Sequence, residues 1–281
     1  MMILRNTLAA AAILTVSCSG PSNPGAQGQV HELKEVNGAG VSFTYSTNDL
    51  GEVEVEKEEK LAPPDMASYA DEGFAPERFC FRLKDNRPLP AFEQGPRYFF
   101  PARSFICAIP LEDSSVKDFG GAYPGLNWAA EVLQKILRER PDEFEHRKDV
   151  PDMSANNAGP SILSRFQYLA FRSGSDILFL TQYSQEYEPN PVNNEELALV
   201  FQALTEDGRY YVAARLAITH PSLSRGIDFT DEIERDMQWC YLRKTEKELD
   251  GFSEESFQPS LKSLKAMLSS ICVEWRNDIG T

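Results

Sequence analysis

Leu197-Ala198-Leu199-Val200-Phe201-Gln202-Ala203-Leu204, then Thr205-Glu206-Asp207-Gly208, then Arg209-Tyr210-Tyr211-Val212-Ala213-Ala214-Arg215-Leu216-Ala217-Ile218-Thr219, is the stretch on which the fold turns. Asp-Gly between two apolar runs is a strong hairpin signal, because glycine takes a positive φ without steric cost. Both runs are apolar at successive rather than alternate positions, which predicts strands covered on both faces of their sheet. Just upstream, Phe166–Phe171 and Ile177–Tyr183 flank Ser173-Gly174-Ser175-Asp176 and predict a second hairpin.

Further toward the N-terminus, Phe79, Phe81 and Leu83 alternate with polar residues, and Ser104–Ile109 reads as another strand stopped by Pro110. Val41, Phe43 and Tyr45 alternate as well. Thr47-Asn48-Asp49-Leu50-Gly51 then leads into Glu52-Val53-Glu54-Val55-Glu56, so these two segments are expected to pair as a hairpin. Between strands, Asn127 reads as the N-cap of a helix with Trp128, Val132, Leu133, Ile136 and Leu137 on one face, closed by Pro141. Downstream of the hairpins, residues 231–249 form one predicted helix. A second has Leu261, Leu264, Leu268, Ile271 and Trp275 at three-and-four spacing, with Ser256 as its cap and Pro259 in its first turn. Strands grouped together with helices beside and after them predict α+β, with a mainly antiparallel sheet covered by one mid-chain helix and a C-terminal helix pair.

The first residues carry a different message. Arg5 precedes a short apolar run from Leu8 to Val16, the pattern of a signal-peptide core and too short to span a bilayer. Leu14-Thr15-Val16-Ser17-Cys18 resembles the lipobox cut by lipoprotein signal peptidase, which implies that Cys18 becomes the first mature residue and carries acyl chains. Residues 1–17 are then a signal peptide. Residues 18–40, rich in Gly, Pro, Ser, Asn and Gln after the lipidated Cys18, are a flexible tether, and 41–281 are one α+β domain. Two or more acyl chains hold a protein stably at a membrane, where one does so only marginally. Ser19 after the anchor, by resemblance to enterobacterial sorting, favours the outer membrane.

The full chain carries 28 basic against 43 acidic side chains; losing residues 1–17 removes only Arg5, leaving 27 against 43 and a net charge of −16. So acidic a surface repels nucleic acid, and the expected partners are the membrane, through the anchor, and an envelope protein or small ligand. Export permits disulfides, and Cys80, Cys107, Cys240 and Cys272 allow three connectivities. Cys80 with Cys107 and Cys240 with Cys272 are favoured, because each pair lies in neighbouring predicted elements. No Cys/His spacing suggests zinc, and no cofactor motif or metal site is expected.

Several phrases, Gly40-Val41-Ser42-Phe43-Thr44-Tyr45, Asn156-Asn157-Ala158, Thr181-Gln182-Tyr183, Pro191-Val192-Asn193-Asn194, Phe201–Thr205, Asp207–Val212 and His220-Pro221-Ser222-Leu223, resemble those of a group of uncharacterised bacterial secreted and lipoprotein sequences. That resemblance spans roughly residues 40–224 and implies an envelope location with no assigned activity. A weaker similarity, in the opening Gly-Val-Ser-Phe strand and the order of elements, is to PsbP-like proteins.

Candidate chemistry is sparse. Glu52, Glu54 and Glu56 project from one strand face at about 6.8 Å intervals, a pattern that suits a charged edge strand better than a calcium site, because a straight strand fans its ligands apart. His31 falls in the tether and His146 in a charged run. His220, at a strand end beside Ser222, Ser224 and Asp228, is the one candidate acid-base residue for a periplasmic or surface hydrolase working with a carboxylate. Against it stands a turn histidine bonded to backbone. Tyr183, Asn193, Asn194 and Tyr211 combine aromatic faces with amides and are candidates to line a ligand groove; the plainer reading makes Asn193 and Asn194 turn and cap residues before Glu195. Without a recognisable catalytic constellation, the sequence points to a lipid-anchored, non-catalytic binding or accessory module.

Overall fold

The computed structural model describes residues 33–38, 40–50, 53–58, 78–83, 104–111, 126–144, 147–151, 158–185, 191–223 and 235–274. Cys18, His31, Glu52, His146, Ser224, Asp228 and Trp275 lie outside them, as do all of residues 1–32, on which the expected signal peptide and most of the expected tether fall.

The predicted architecture is α+β, and the structure has it. Seven strands make one antiparallel sheet in the order β3(Val53–Glu58), β4(Arg78–Leu83), β5(Phe105–Pro110), β11(Tyr210–Ala217), β10(Ala198–Thr205), β8(Gly174–Thr181), β7(Ser164–Phe171). A smaller antiparallel sheet runs β1(Leu33–Gly38), β2(Val41–Ser46), β12(Cys272–Val273), and β6(Ala158–Pro160) pairs with β9(Tyr183–Gln185). Three longer helices accompany them: α1(Leu126–Glu139), α2(Arg235–Gly251) and α3(Leu261–Ser269). No helix among the described residues is long and apolar enough to cross a membrane.

Why β8, β10 and β11 lack alternation is plain once their neighbours are in place. Their odd-numbered Ile177, Phe179, Tyr211 and Ala213 meet Leu126, Ala129, Leu133 and Ile136 of α1. On the opposite face Leu178, Leu180, Leu199, Phe201 and Leu216 meet Phe43 and Tyr45 of the small sheet, Leu242 and Leu249 of α2, and Leu261, Leu264 and Leu268 of α3. Both surfaces are buried, so both must be apolar. The Asp207-Gly208 turn closes as expected, with Gly208 at a φ of 69°. The other hairpin turns earlier than expected, with β8 beginning at Gly174, and the Glu206 N–H donates to the Ser173 carbonyl, clipping the two hairpin ends together. Gly174 serves a close approach, since a Cβ there would sit 2.0 Å from the Leu204 carbonyl oxygen.

Four expectations need correcting. Val41–Ser46 and the glutamate-rich strand do not pair; β2 lies between β1 and β12, while β3 pairs with β4 from Val53↔Leu83 to Glu58↔Arg78. The folded unit begins before residue 41, because β1 pairs with β2 along its whole length, though only Val36 of its side chains is buried. Trp128 is exposed, and Asn127 lies inside α1 rather than before it; the buried stripe is Leu126, Ala129, Leu133 and Ile136, one residue-step round from the predicted face. α3 is capped by Ser260, whose hydroxyl accepts from the Ser263 N–H, and not by Ser256. It stops at Ser269, so Ile271 and Cys272 leave the helix and Cys272 and Val273 become β12.

Candidate functional site

His220 follows β11 and is 6% exposed. Its backbone N–H donates to Asn194 Oδ1 at 2.7 Å, and its ring stacks on Phe252 with centroids 3.9 Å apart and planes at 8°. Nδ1 accepts from the Ser222 N–H at 3.2 Å, which makes it the unprotonated nitrogen and leaves Nε2–H to donate to Ser256 Oγ at 2.9 Å. The Ser256 hydroxyl in turn donates a hydrogen bond to the Ser253 carbonyl at 2.7 Å, and the Ser222 hydroxyl donates to Nδ1 at 2.6 Å. Both ring nitrogens are therefore engaged: Nδ1 within its own loop by Ser222, and Nε2 in holding the β11 end to the short 3-10 turn Glu254–Ser256. Burial lowers the pKa of His220, and the Arg165 guanidinium adds to that effect, so the neutral ring is the favoured form. No carboxylate touches the ring among the described residues; Asp228, the acid beside it in sequence, is outside them. Among the described residues two serine hydroxyls, Ser222 on the surface and the half-buried Ser256, lie beside it.

The expected ligand groove does not assemble from its four residues. Tyr211 is fully buried, because Tyr210 and Tyr211 alternate faces and Tyr211 points under α1, its hydroxyl donating to Gln202 Oε1 at 2.6 Å. Gln202 in turn donates to the Pro151 carbonyl at 2.7 Å. Asn193 caps its own turn, with Oδ1 accepting from the N–H groups of Glu195 at 2.8 Å and Glu196 at 3.1 Å. Asn194 bridges two loops, its Nδ2 donating to the carbonyls of His220 at 3.1 Å and Leu223 at 2.6 Å. Tyr183 is half-buried with the Arg215 guanidinium 5.4 Å above its ring. The turn-and-cap reading accounts for the Oδ1 bonds of Asn193, whereas Asn194 ties its turn to the loop at His220–Leu223.

The cysteines divide. Cys80 and Cys107 stand directly opposite each other on β4 and β5, with Cα atoms 4.2 Å apart, and form a disulfide that faces α1. Cys240 is a free, exposed thiol on α2, accepting from Arg243 Nη2 at 3.5 Å, so the expected Cys240–Cys272 bond is not made. Nearness of predicted elements misled there: Cys240 faces outward, while Cys272 is buried in β12 beside β2. Among the described residues no group of three His, Cys, Asp or Glu side chains converges as a metal site.

A polar cluster that sequence reasoning missed joins α2 to the open edge of the large sheet. Glu246 accepts from Arg147 through both oxygens, at 3.0 and 2.8 Å, and from the Leu163 N–H at 2.7 Å. One turn later Asp250 accepts from Ser164 Oγ at 2.7 Å and from the Arg165 N–H at 2.6 Å. Arg165 has a φ of 54° at a bulge in β7, which turns its guanidinium back to donate to the carbonyls of Leu249 at 2.7 Å and of Phe252. Two acids at i and i+4 thus occupy edge N–H groups that would otherwise invite another strand. The sole hint in the sequence is that spacing. The apolar face of α3 is likewise internal, with Leu261, Leu264 and Leu268 at most 1% exposed, so it offers no surface for docking a larger complex.

No family model matches the chain, and no curated protein matches it.

Proposed function

We propose that the chain is exported as a precursor, lipidated at Cys18 and held at the bacterial cell envelope, where its α+β domain serves as a binding or accessory module without catalysis. The run Leu8–Val16 ending in Ser17-Cys18, followed by a polar, glycine- and proline-rich segment, supports export and anchoring. The single structural observation that carries the reading is the Cys80–Cys107 bond, buried at 0% exposure between paired strands. A disulfide built into the core suits a protein that folds in an oxidising compartment outside the cytoplasm. Ser19 after the anchor favours the outer membrane. A net charge of −16 on the mature chain argues against nucleic acid, and the engagement of both His220 nitrogens argues against a free general base. The partner is then another envelope protein or a small ligand.

Cys18→Ser is the direct test. In the native bacterium or a close relative, the wild-type protein should fractionate with membranes and the variant should not; equal membrane retention of the two would remove the anchor.

A further inference from the structure

Asp176 was expected in a hairpin turn, yet it lies inside β8, because the turn is tighter and the strand begins at Gly174. It is 1% exposed, and neither of its carboxyl oxygens has a hydrogen-bond partner. Its cross-strand neighbours are Leu169 of β7 and Ala203 of β10. The diagonal positions on the same face are Gln167 and Phe171 on one side and Phe201 and Thr205 on the other, and its own strand supplies Gly174 and Leu178. None of these titrates. This is the face that α2, α3 and the small sheet cover.

The charged groups brought toward that face are already taken or exposed. Lys265 of α3 bonds Gln167 Oε1 at 2.9 Å and Glu254 Oε1 at 2.5 Å. Lys262 is exposed and pairs with Glu255 at 3.8 Å. Arg172 in the β7–β8 turn and Glu274 after β12 are exposed too, although Val273 is tied to that turn through Ser173 Oγ at 2.8 Å. Among the described residues no ion pair reaches Asp176.

We propose that Asp176 is a pH-sensitive element of this fold: the closed domain holds its carboxyl neutral, and ionisation loosens the packing of β7, β8 and β10 against the helices above them. An isolated carboxylate in an apolar layer is expensive, whereas the neutral acid is tolerated there, so a site without partners selects the protonated form. Desolvation accordingly raises the pKa of Asp176 from 3.8 to about 7; only the Leu169 N–H opposes the rise, and it falls short of hydrogen-bonding geometry. A folded-state value above the unfolded one means that the native state binds the extra proton. Stability from this group is fully present below 3.8 and is lost as pH rises to about 7, a span of roughly three units at tenfold each in the folding equilibrium. The device is independent of whether the chain is anchored.

Urea unfolding of the purified protein and of Asp176→Asn, from pH 4 to pH 8, tests it. The ratio of wild-type to variant folding constants should fall by about a thousandfold across that range, since amide and neutral acid are close in shape and only one can ionise. A ratio that stays constant with pH overturns the proposal. Should the variant fail to fold, infrared spectra of the wild-type protein with isotope-labelled aspartate decide: a protonated aspartate carboxyl band at pH 6 that disappears by pH 8.5 supports it, and no such band at pH 6 overturns it.

Discussion

Replacing both Cys80 and Cys107 by alanine removes the one covalent tie between β4 and β5, and its cost follows from the chain it closes. The two residues are 27 apart in sequence. Releasing a loop of that length in the unfolded state is worth about 3.5 kcal/mol by chain entropy. Alanine leaves no unpaired hydroxyl or thiol between the sheet and α1, so the substitution adds only a small packing loss to that figure. For a domain of this size each kcal/mol moves the melting temperature by roughly 2–4 °C, which puts the expected drop at about 7–14 °C. Far-UV circular dichroism of the purified protein with and without the double substitution reads it directly, with urea unfolding giving the free energy. A double variant within about 1 kcal/mol of wild type would refute the reasoning, because it would mean that β4 and β5 are held in register as firmly by the ladder and by Phe81, Ile106 and their neighbours alone.

Other expectations rest on single contacts. Glu246→Ala strands Arg147 and the Leu163 N–H at once and should cost about 2–3 kcal/mol in urea unfolding, with Glu246→Gln recovering part of that by keeping an acceptor for Leu163. Gly174→Ala drives a Cβ into the Leu204 carbonyl and should cost about 3 kcal/mol or more, whereas Gly251→Ala, with nothing within 4 Å, should be tolerated. The lowered pKa of His220 means that the unfolded chain takes up its proton more readily than the folded one. Stability from the neutral ring is therefore full above 6.5 and lost as pH falls through the lower folded value. Melting temperatures between pH 7.5 and pH 5 should fall more steeply for wild type than for His220→Gln, and parallel curves would show that the ring does not titrate as described. An active-site fluorophosphonate should leave the domain unlabelled; labelling at Ser222 that His220→Ala abolishes would favour a hydrolase.

The parts of this fold that were legible are those whose partners are close in sequence. The hairpins β7–β8 and β10–β11 are closed by their own turns, and α1 declares its period within one segment. What failed was long-range pairing: β2 meets β12 through Ser42↔Cys272 and bonds Ser270 through Thr44, 226 residues away, and no local pattern encodes that. The candidate site failed for a related reason. Tyr210 and Tyr211 are indistinguishable as letters, yet strand alternation buries one under α1 and leaves the other at the opposite face. Glu246 and Arg147 sit 99 residues apart in runs of charge that look like solvated helix surface. Asp176 reads as a turn residue until the two-residue turn places it in the strand. Asn193 was readable as a cap because its Oδ1 bonds are to Glu195 and Glu196, whereas the bonds of Asn194 to His220 and Leu223 are long-range and were not.

The most direct measurement is the intact mass, with tryptic mapping, of the protein purified from membranes of its native bacterium or a close relative. A mature chain whose first peptide begins at Cys18 bearing acyl chains is the expected result. An unacylated N-terminus at Ser19 or later, or a chain still beginning at Met1, would contradict membrane anchoring through Cys18.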